Sequence, residues 1–235
     1  MKKCLSLLWM AFMTITTLQA QNCEAYFPLS LNAESQLTQY DENGKPTGRS
    51  LYKVKEVHNT ATGKDAVLWV ENYDKKDQKD SEGEFKVICK DNATHIDMKA
   101  FMLNNPSLKS YEDMDMTMTG DFLQFPNKLS EGMSLPDANV DMVFTDKKTK
   151  DEAARMNMKF VNRKVVGKVS VTTPTGTYEA WKVTQEITGV STIMTMHINM
   201  PTMYTADYIV LGTGTVKSET FDKNNKLKGY SLKTK

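Results

Sequence analysis

The sequence predicts a mainly β protein, built as one large, curved antiparallel sheet (a half-barrel or open barrel) with a single short helix. Three observations predict it. Apolar and polar residues alternate strictly through most of the chain, hairpin turn signals separate the alternating runs, and helical periodicity is nearly absent.

The N-terminus comes first. Residues 1–20, MKKCLSLLWMAFMTITTLQA, carry two lysines, a short apolar run from Leu5 to Met13 and a small-residue site at Leu18-Gln19-Ala20. These are the parts of a secretory signal peptide cleaved after Ala20, and the apolar run falls short of the roughly 20 residues of a transmembrane span. Asn22 before Cys23 is the wrong residue for acylation of that cysteine. The expected organisation is residues 1–20 as signal peptide and 21–235 as a single antiparallel β domain, periplasmic or secreted, with no span left after cleavage.

Removing the signal takes Lys2 and Lys3 with it and leaves 215 residues of formal charge −1. A near-neutral chain lacks the basic footprint that nucleic acid or anionic lipid requires, so no nucleic-acid partner is expected. Cys4 leaves with the signal, so Cys23 and Cys89 remain. In an oxidising compartment the two read as a disulfide, with two buried free thiols as the alternative.

The strands follow in order. Alternation runs through Arg49 to Val57, Ala66 to Tyr73, Glu84 to Cys89, Thr94 to Met98, Met114 to Met118 and Val140 to Thr145. It continues through Met156 to Val161, Tyr178 to Ile187, Ile193 to Met200 and Thr215 to Phe221. Asn43-Gly44, Thr62-Gly63, Thr119-Gly120, Pro174-Thr175-Gly176 and Asn224-Asn225 supply turn chemistry between them. Met98 to Leu103 is the candidate helix, and Asp146 to Arg155 reads as a helical turn or a charged loop. The short helix is expected to cover one opening of the sheet.

One internal similarity stands out. YDENGKPTGRSL (residues 40–51) and FDKNNKLKGYSL (221–232) agree at Asp, Asn, Lys, Gly, Ser and Leu. Each reads as an aromatic-ended strand, a polar turn and a returning strand. A calcium loop is disfavoured, because its third ligand position is Lys45 or Lys226 and its last is Tyr52 or Lys233.

No catalytic constellation is visible. There is no G-x-S-x-G, H-E-x-x-H or C-x-x-C, and Gly212-x-Gly214 lies between strands rather than opening a helix. His58, His95 and His197 have no sequence-local nucleophile. No enzyme activity, metal or other cofactor is expected. Trp69 and Trp181 read as core or core-edge residues.

Methionine is the unusual quantity: 16 in the chain, of which Met1, Met10 and Met13 leave with the signal. Met114, Met116, Met118, Met156, Met158, Met194, Met196 and Met200 recur at i, i+2, which in a strand puts them on one face. Three roles fit such a face. It is an ordinary core filled by adaptable side chains, a pliant groove for a lipid, acyl chain or hydrophobic peptide, or a Cu(I) site built from Met194, Met196, His197, Met200 and Met203. Copper is disfavoured by the ~6.6 Å spacing of i, i+2 residues and by the opposite facing of His197. The expected function is non-enzymatic binding of an apolar ligand on a concave, Met-lined face. The rival reading is a structural module that docks other envelope proteins.

Several segments together carry a resemblance: CEAYFPL (23–29), VICKD with IDM (87–91 and 96–98), SVTTPTGTYEAWKV (170–183) and GTGTVKSETFDKNNKLKGYS (212–231). With them the chain resembles the TapB-like, domain-of-unknown-function proteins of Gram-negative envelopes. That resemblance implies a secreted or periplasmic β protein related to the half-barrel sheets of lipoprotein carriers. It implies no enzyme activity and no catalytic residues.

Overall fold

The computed structural model describes residues 26–60, 63–102, 111 and 113–235. The signal segment, its cleavage site, Cys23 and Leu103 lie outside the described residues. Thirteen strands form one sheet. They are β1 (Glu34–Asp41), β2 (Pro46–Thr60), β3 (Gly63–Asp74), β4 (Lys79–Lys90), β5 (Ala93–Ile96), β6 (Met114–Gly120) and β7 (Leu123–Pro126). Then come β8 (Ala138–Asp146), β9 (Glu152–Thr173), β10 (Gly176–Ile193), β11 (Met196–Val210), β12 (Gly214–Phe221) and β13 (Leu227–Lys233). One helical turn, α1 (Lys99–Met102), follows β5, with Asp97 Oδ1 accepting the Lys99 N–H at 3.0 Å.

The strand order is β6-β8-β9-β10-β11-β12-β13-β1-β2-β3-β4-β5-β7, and every neighbouring pair is antiparallel. The chain's first and last strands are therefore neighbours in mid-sheet. The outermost strands, β6 and β7, are joined only by Asp121 and Phe122. From Gly120 to Leu123 the chain spans at most ~11 Å, so the sheet must curl until its two edges nearly touch. They do not pair, and the sheet stays open. This is the curved antiparallel architecture that the alternation predicts.

The inner face holds the main core. Leu68, Val70, Phe85 and Val87 from one half face Val140, Met142, Phe144, Met158 and Phe160 from the other. Burial of alternate residues along β3, β8 and the first half of β9 is the physical content of the sequence alternation. A smaller cluster of Val171, Ala180, Ala206, Tyr208 and Val216 lies on the opposite, outer face. The switch is made by a bulge. Val165 pairs with Val183 but Gly167 pairs with Lys182, so Val166 is unpaired and the strand turns over there. A 22-residue strand cannot run straight in so small a molecule, and bulges at Asn162 and Val166 coil it.

Three expectations are corrected. Ile193 to Met200 is not one strand: β10 ends at Ile193 and β11 starts at Met196, with Met194 in the turn at φ 56°. Apolar alternation across Met194-Thr195 hides a turn that carries none of the usual turn residues. Of the two readings of Asp146 to Arg155, the charged loop holds as far as Asp151, the helical turn does not, and the last four residues are strand. Asp146 closes a turn by accepting the Lys148 and Thr149 N–H groups at 2.8 and 2.9 Å, and β9 begins at Glu152. Thr94 to Met98 is strand only as far as Ile96.

The internal similarity is structural. Asp41 Oδ1 accepts the N–H groups of Asn43 and Lys45, and Asp222 Oδ1 accepts those of Asn224 and Lys226, all at 2.9–3.0 Å. The two hairpins are neighbours: β1 pairs with β13, Tyr40 stacks on Tyr230 at 5.0 Å, and Lys226 reaches Glu42 at 3.1 Å.

Candidate functional site

Seven of the eight singled-out methionines share the inner face, because opposed residues of antiparallel strands point the same way. One cross-strand row reads Met118, Met142, Met156, Ser191, Ile198; the next reads Met116, Phe144, Ala154, Ile193, Met196. A third reads Gly120, Val140, Met158, Gly189, Met200. Gly189 is required there, since a Cβ would stand 2.9 Å from the Met200 sulfur and 2.9 Å from the Asn157 carbonyl oxygen. Met114 belongs to the same face by strand parity. Met194 does not, because it lies in the turn.

Sharing a face is not sharing a site. Met156 and Met158 are 5% and 3% exposed and belong to the core, whereas Met194 and Met196 are 86% and 60% exposed at the tip of the β10–β11 hairpin. Met114, Met118 and Met200 pack at the core margin, and Met116 is exposed on the edge strand β6. Tyr111 closes over Phe144 at 4.2 Å between ring centres.

The enclosed space lies elsewhere on the inner face. A cavity of about 240 Å³ sits between the segment around Tyr26 to Pro28 and the inner faces of β1–β4, β11 and β12. Its roof is apolar. Phe27 packs edge-on against Phe85 and Tyr26 tilts against Phe125, both at 6.1 Å, with Val54 and Leu68 alongside. Ala100 of α1 also lines it, so the short helix helps to cover this opening.

Its floor is polar, and that floor belongs to a larger pattern. One polar residue from each of nine adjacent strands forms a belt across the inner face: Arg163, Gln185, Asp207, Ser218, Ser231, Gln39, Ser50, Asn72 and Ser81. Arg163 Nε donates to Gln185 Oε1 at 3.1 Å, Gln185 Nε2 to Asp207 Oδ2 at 3.3 Å, and Ser218 Oγ to Asp207 Oδ1 at 2.6 Å. Ser218 pairs with Ser231 and Ser231 with Gln39. Gln39 Nε2 donates to Ser50 Oγ at 2.8 Å, Ser50 pairs with Asn72, and Asn72 Nδ2 donates to Ser81 Oγ at 2.9 Å. Buried polar groups are generally bonded, and cross-strand neighbours supply most of the partners here, although Arg163 Nη2 has none among the described residues.

Asp207, Ser218, Ser231 and Gln39 are the belt members that line the cavity. Burial pushes the Asp207 carboxyl up, against the Ser218 hydrogen bond and the charge of Arg163, which favour ionisation. Burial also brings the Arg163 guanidinium down to about 10. Arg163 anchors one end of the belt. It is 2% exposed, lies 4.9 Å over the Phe125 ring, and Nη1 donates to the carbonyls of Gln124 in β7 and Pro136. It thereby ties edge strand β7 to β9. Sequence reasoning passed over the belt: Gln185 and Asp207 each interrupt an apolar pattern and are the signal present, whereas Arg163 lies between Asn162 and Lys164 and gives none.

The histidines do not converge. His58 bonds Glu56 at 3.1 Å on the surface, His197 bonds Thr192 at 3.0 Å, and His95 on β5 packs edge-on against Phe122. Burial pushes the His95 imidazole down. Among the described residues no group of three His, Cys, Asp or Glu is placed to hold a metal ion. Trp181 packs against the core, and Trp69 lies under Lys55 at 4.9 Å.

This fold is shared by solved structures. A putative lipoprotein from Parabacteroides distasonis superposes with a TM-score of 0.74 at 23% identity, covering 90% of this chain and 97% of that one. A putative exported protein with YmcC-like fold from Bacteroides fragilis superposes with a TM-score of 0.71 at 21% identity, covering 89% of this chain and 97% of that one. No curated protein matches the sequence. The family model that matches is DUF3108-like and not TapB-like; it spans residues 33–232, and the chain belongs to the DUF3108-like family.

Proposed function

We propose that this protein is a non-enzymatic binding protein of the bacterial cell envelope, which holds a small amphipathic ligand in the inner cavity. The observation that carries this reading is the cavity's two-sidedness: an aromatic and aliphatic roof over a floor of Asp207, Ser218, Ser231 and Gln39. Such a space takes an apolar body whose hydroxyl or amine end donates to Asp207. Its volume of about 240 Å³ is just under the ~300 Å³ where ligand pockets begin, so it suits a small ligand or one end of a longer chain. The signal-like N-terminus, and relatives of the same fold described as exported protein and lipoprotein, support the envelope location.

Native mass spectrometry of periplasmically expressed protein, followed by denaturing extraction, tests it. A co-purifying species should disappear in Ala33→Phe, which fills the cavity, and persist in Met196→Lys. Loss in Met116→Lys and Met196→Lys instead would move the ligand to the methionine face. A clean apo mass that also fails to take up added decanol would sink the binding reading.

One observation favours the rival assembly role. β12 ends at Phe221 opposite Tyr204, so residues 196–203 of β11 extend beyond it, with Met194, Met196 and Ile198 exposed at that end. Exposed apolar side chains grouped on a projecting hairpin suit a protein contact.

A further inference from the structure

The outer face carries a second recess that the inner-cavity reading does not use. Beyond the Val166 bulge, the far end of the β9–β10 hairpin coils over the outer side of β11–β13 and leaves an open trough of about 520 Å³. Val169 and Val171 form one wall, Leu227, Tyr230 and Leu232 the other, and Tyr208 the floor. This exceeds the ~300 Å³ at which ligand pockets begin.

Its charges are arranged unevenly. Lys217 pairs with Glu219 at 2.6 Å, and the Tyr208 hydroxyl donates to the same carboxylate at 2.7 Å. Burial works against ionisation of Glu219, but the bonds from Lys217 and Tyr208 outweigh it and hold the carboxyl down. Glu219 is thus an anion already matched by one lysine. Lys182, the second lysine of the trough, stands 5.6 Å over the Tyr208 ring; its charge also helps to hold Glu219 down, but from beyond ion-pair distance, so two lysines face one carboxylate. The trough therefore presents two apolar walls, a neutralised Lys–Glu pair and one surplus, half-buried cation.

We propose that this trough binds a single-chain anionic amphiphile, a carboxylate on a medium-length acyl chain, with its head group paired to Lys182 and its tail along Val169, Leu227 and Leu232. A neutral chain forgoes the charge pair, and a cationic one meets Lys182 and Lys217. The half-buried setting matters, since an ion pair partly shielded from water gains more than one on an open surface.

Titration calorimetry with decanoate, decanol and decyltrimethylammonium, below their micelle concentrations, tests the proposal on the mature chain. Compared in Ala33→Phe, where decanol cannot enter the inner cavity, decanoate is expected to bind with one site, at least tenfold more tightly than either other probe. Lys182→Gln and Leu227→Glu should each weaken decanoate at least tenfold. Lys228→Gln, which removes the same charge from a residue paired with Glu42 outside the trough, should leave it unchanged. Ala33→Phe, which fills the inner cavity, should also leave it unchanged. Loss of decanoate binding in Ala33→Phe would assign the probe to the inner cavity and overturn the proposal. Equal binding of all three probes, no decanoate binding, or indifference to both trough variants would overturn it too.

Discussion

The backbone N–H of Tyr26 donates to Thr94 Oγ1 at 3.4 Å, and Thr94 stands directly across from Cys89 in the β4–β5 pairing. Cys23 is three residues before Tyr26, a reach of at most ~11 Å, and opposed residues of antiparallel strands are only ~4.5–5.5 Å apart. The chain is therefore led to the place where a Cys23–Cys89 disulfide can close. The expected result is no free thiol in denatured, periplasmically expressed protein, and two after reduction. A loop of this length stabilises by ~4 kcal/mol in the chain-entropy account, so the Cys23→Ser, Cys89→Ala pair should lower the urea midpoint clearly. Two free thiols in the oxidised sample would show that the residues stay unpaired.

Burial separates the methionines into two energetic classes. Met156→Ala removes a side chain that is 5% exposed between Met142 and Ser191 in its row, and truncations of this kind cost ~2–5 kcal/mol. Met196→Ala, at a site 60% exposed, should change stability by less than ~0.5 kcal/mol. Urea denaturation of the two variants checks this directly. Similar losses in both would mean that the hairpin tip is covered in solution.

The same two residues show how far the sequence could be read. Strand parity correctly put Met156 and Met196 on one face, because side-chain alternation is a local property of the backbone. Whether that face is covered depends on contacts between strands distant in sequence, and on where a strand ends. β12 stops at Phe221, so the tip of β11 lacks the neighbour that its inner residues have further along. The turn at Met194-Thr195 stayed hidden for a related reason: it carries no Gly, Asn, Asp or Pro, and only the pairing of Ile193 in β10 with Met196 in β11 reveals it.

Arg163 should be the most sensitive charged position. Its guanidinium serves Gln185 and the carbonyls of Gln124 and Pro136, on three separate segments. Arg163→Met keeps the bulk but strands those acceptors inside the protein, and breaking a buried charged network typically costs ~3–5 kcal/mol. Arg163→Lys should recover little, because one ammonium cannot reproduce the planar fork. Hydrogen exchange adds a specific readout: β7 amides should lose protection in Arg163→Met before those of β3. A stability loss under ~1 kcal/mol would contradict the role as a tie between β7 and β9.

The belt was illegible for a different reason from the turn. Arg163 and Gln185 are buried and Asp207 is half-buried at the cavity, on strands where one sequence alone does not distinguish a structural partner from a surface residue. Bulges at Asn162 and Val166 also shift strand parity, so counting by twos from Phe160 assigns Arg163 to the wrong side. Only the register brings nine polar side chains into one line.

The paired Asx turns make a pH-dependent prediction. Asp222 accepts the N–H groups of Lys226 and Asn224, and these bonds hold its carboxyl below the usual carboxylate range. A carboxyl with a depressed folded-state value contributes stability above its unfolded value of ~4, and that contribution is lost as pH falls through this value towards the folded one. Asp222→Ala should therefore lower the urea midpoint at pH 7, and the gap from wild type should shrink at pH 2.5, where both chains lack the ionised acceptor. Asp146, held down by the Thr149 and Lys148 N–H groups, Glu34, held down by Lys235 and Lys53, and Glu42, held down by Lys226 and Lys228, titrate in the same sense. Wild-type stability should accordingly fall as pH drops below ~4. Asp222→Asn should retain part of the midpoint at pH 7, since an amide oxygen accepts the same two N–H groups without the charge. A gap between Asp222→Ala and wild type that is constant from pH 7 to pH 2.5 would show that the turn depends on shape alone.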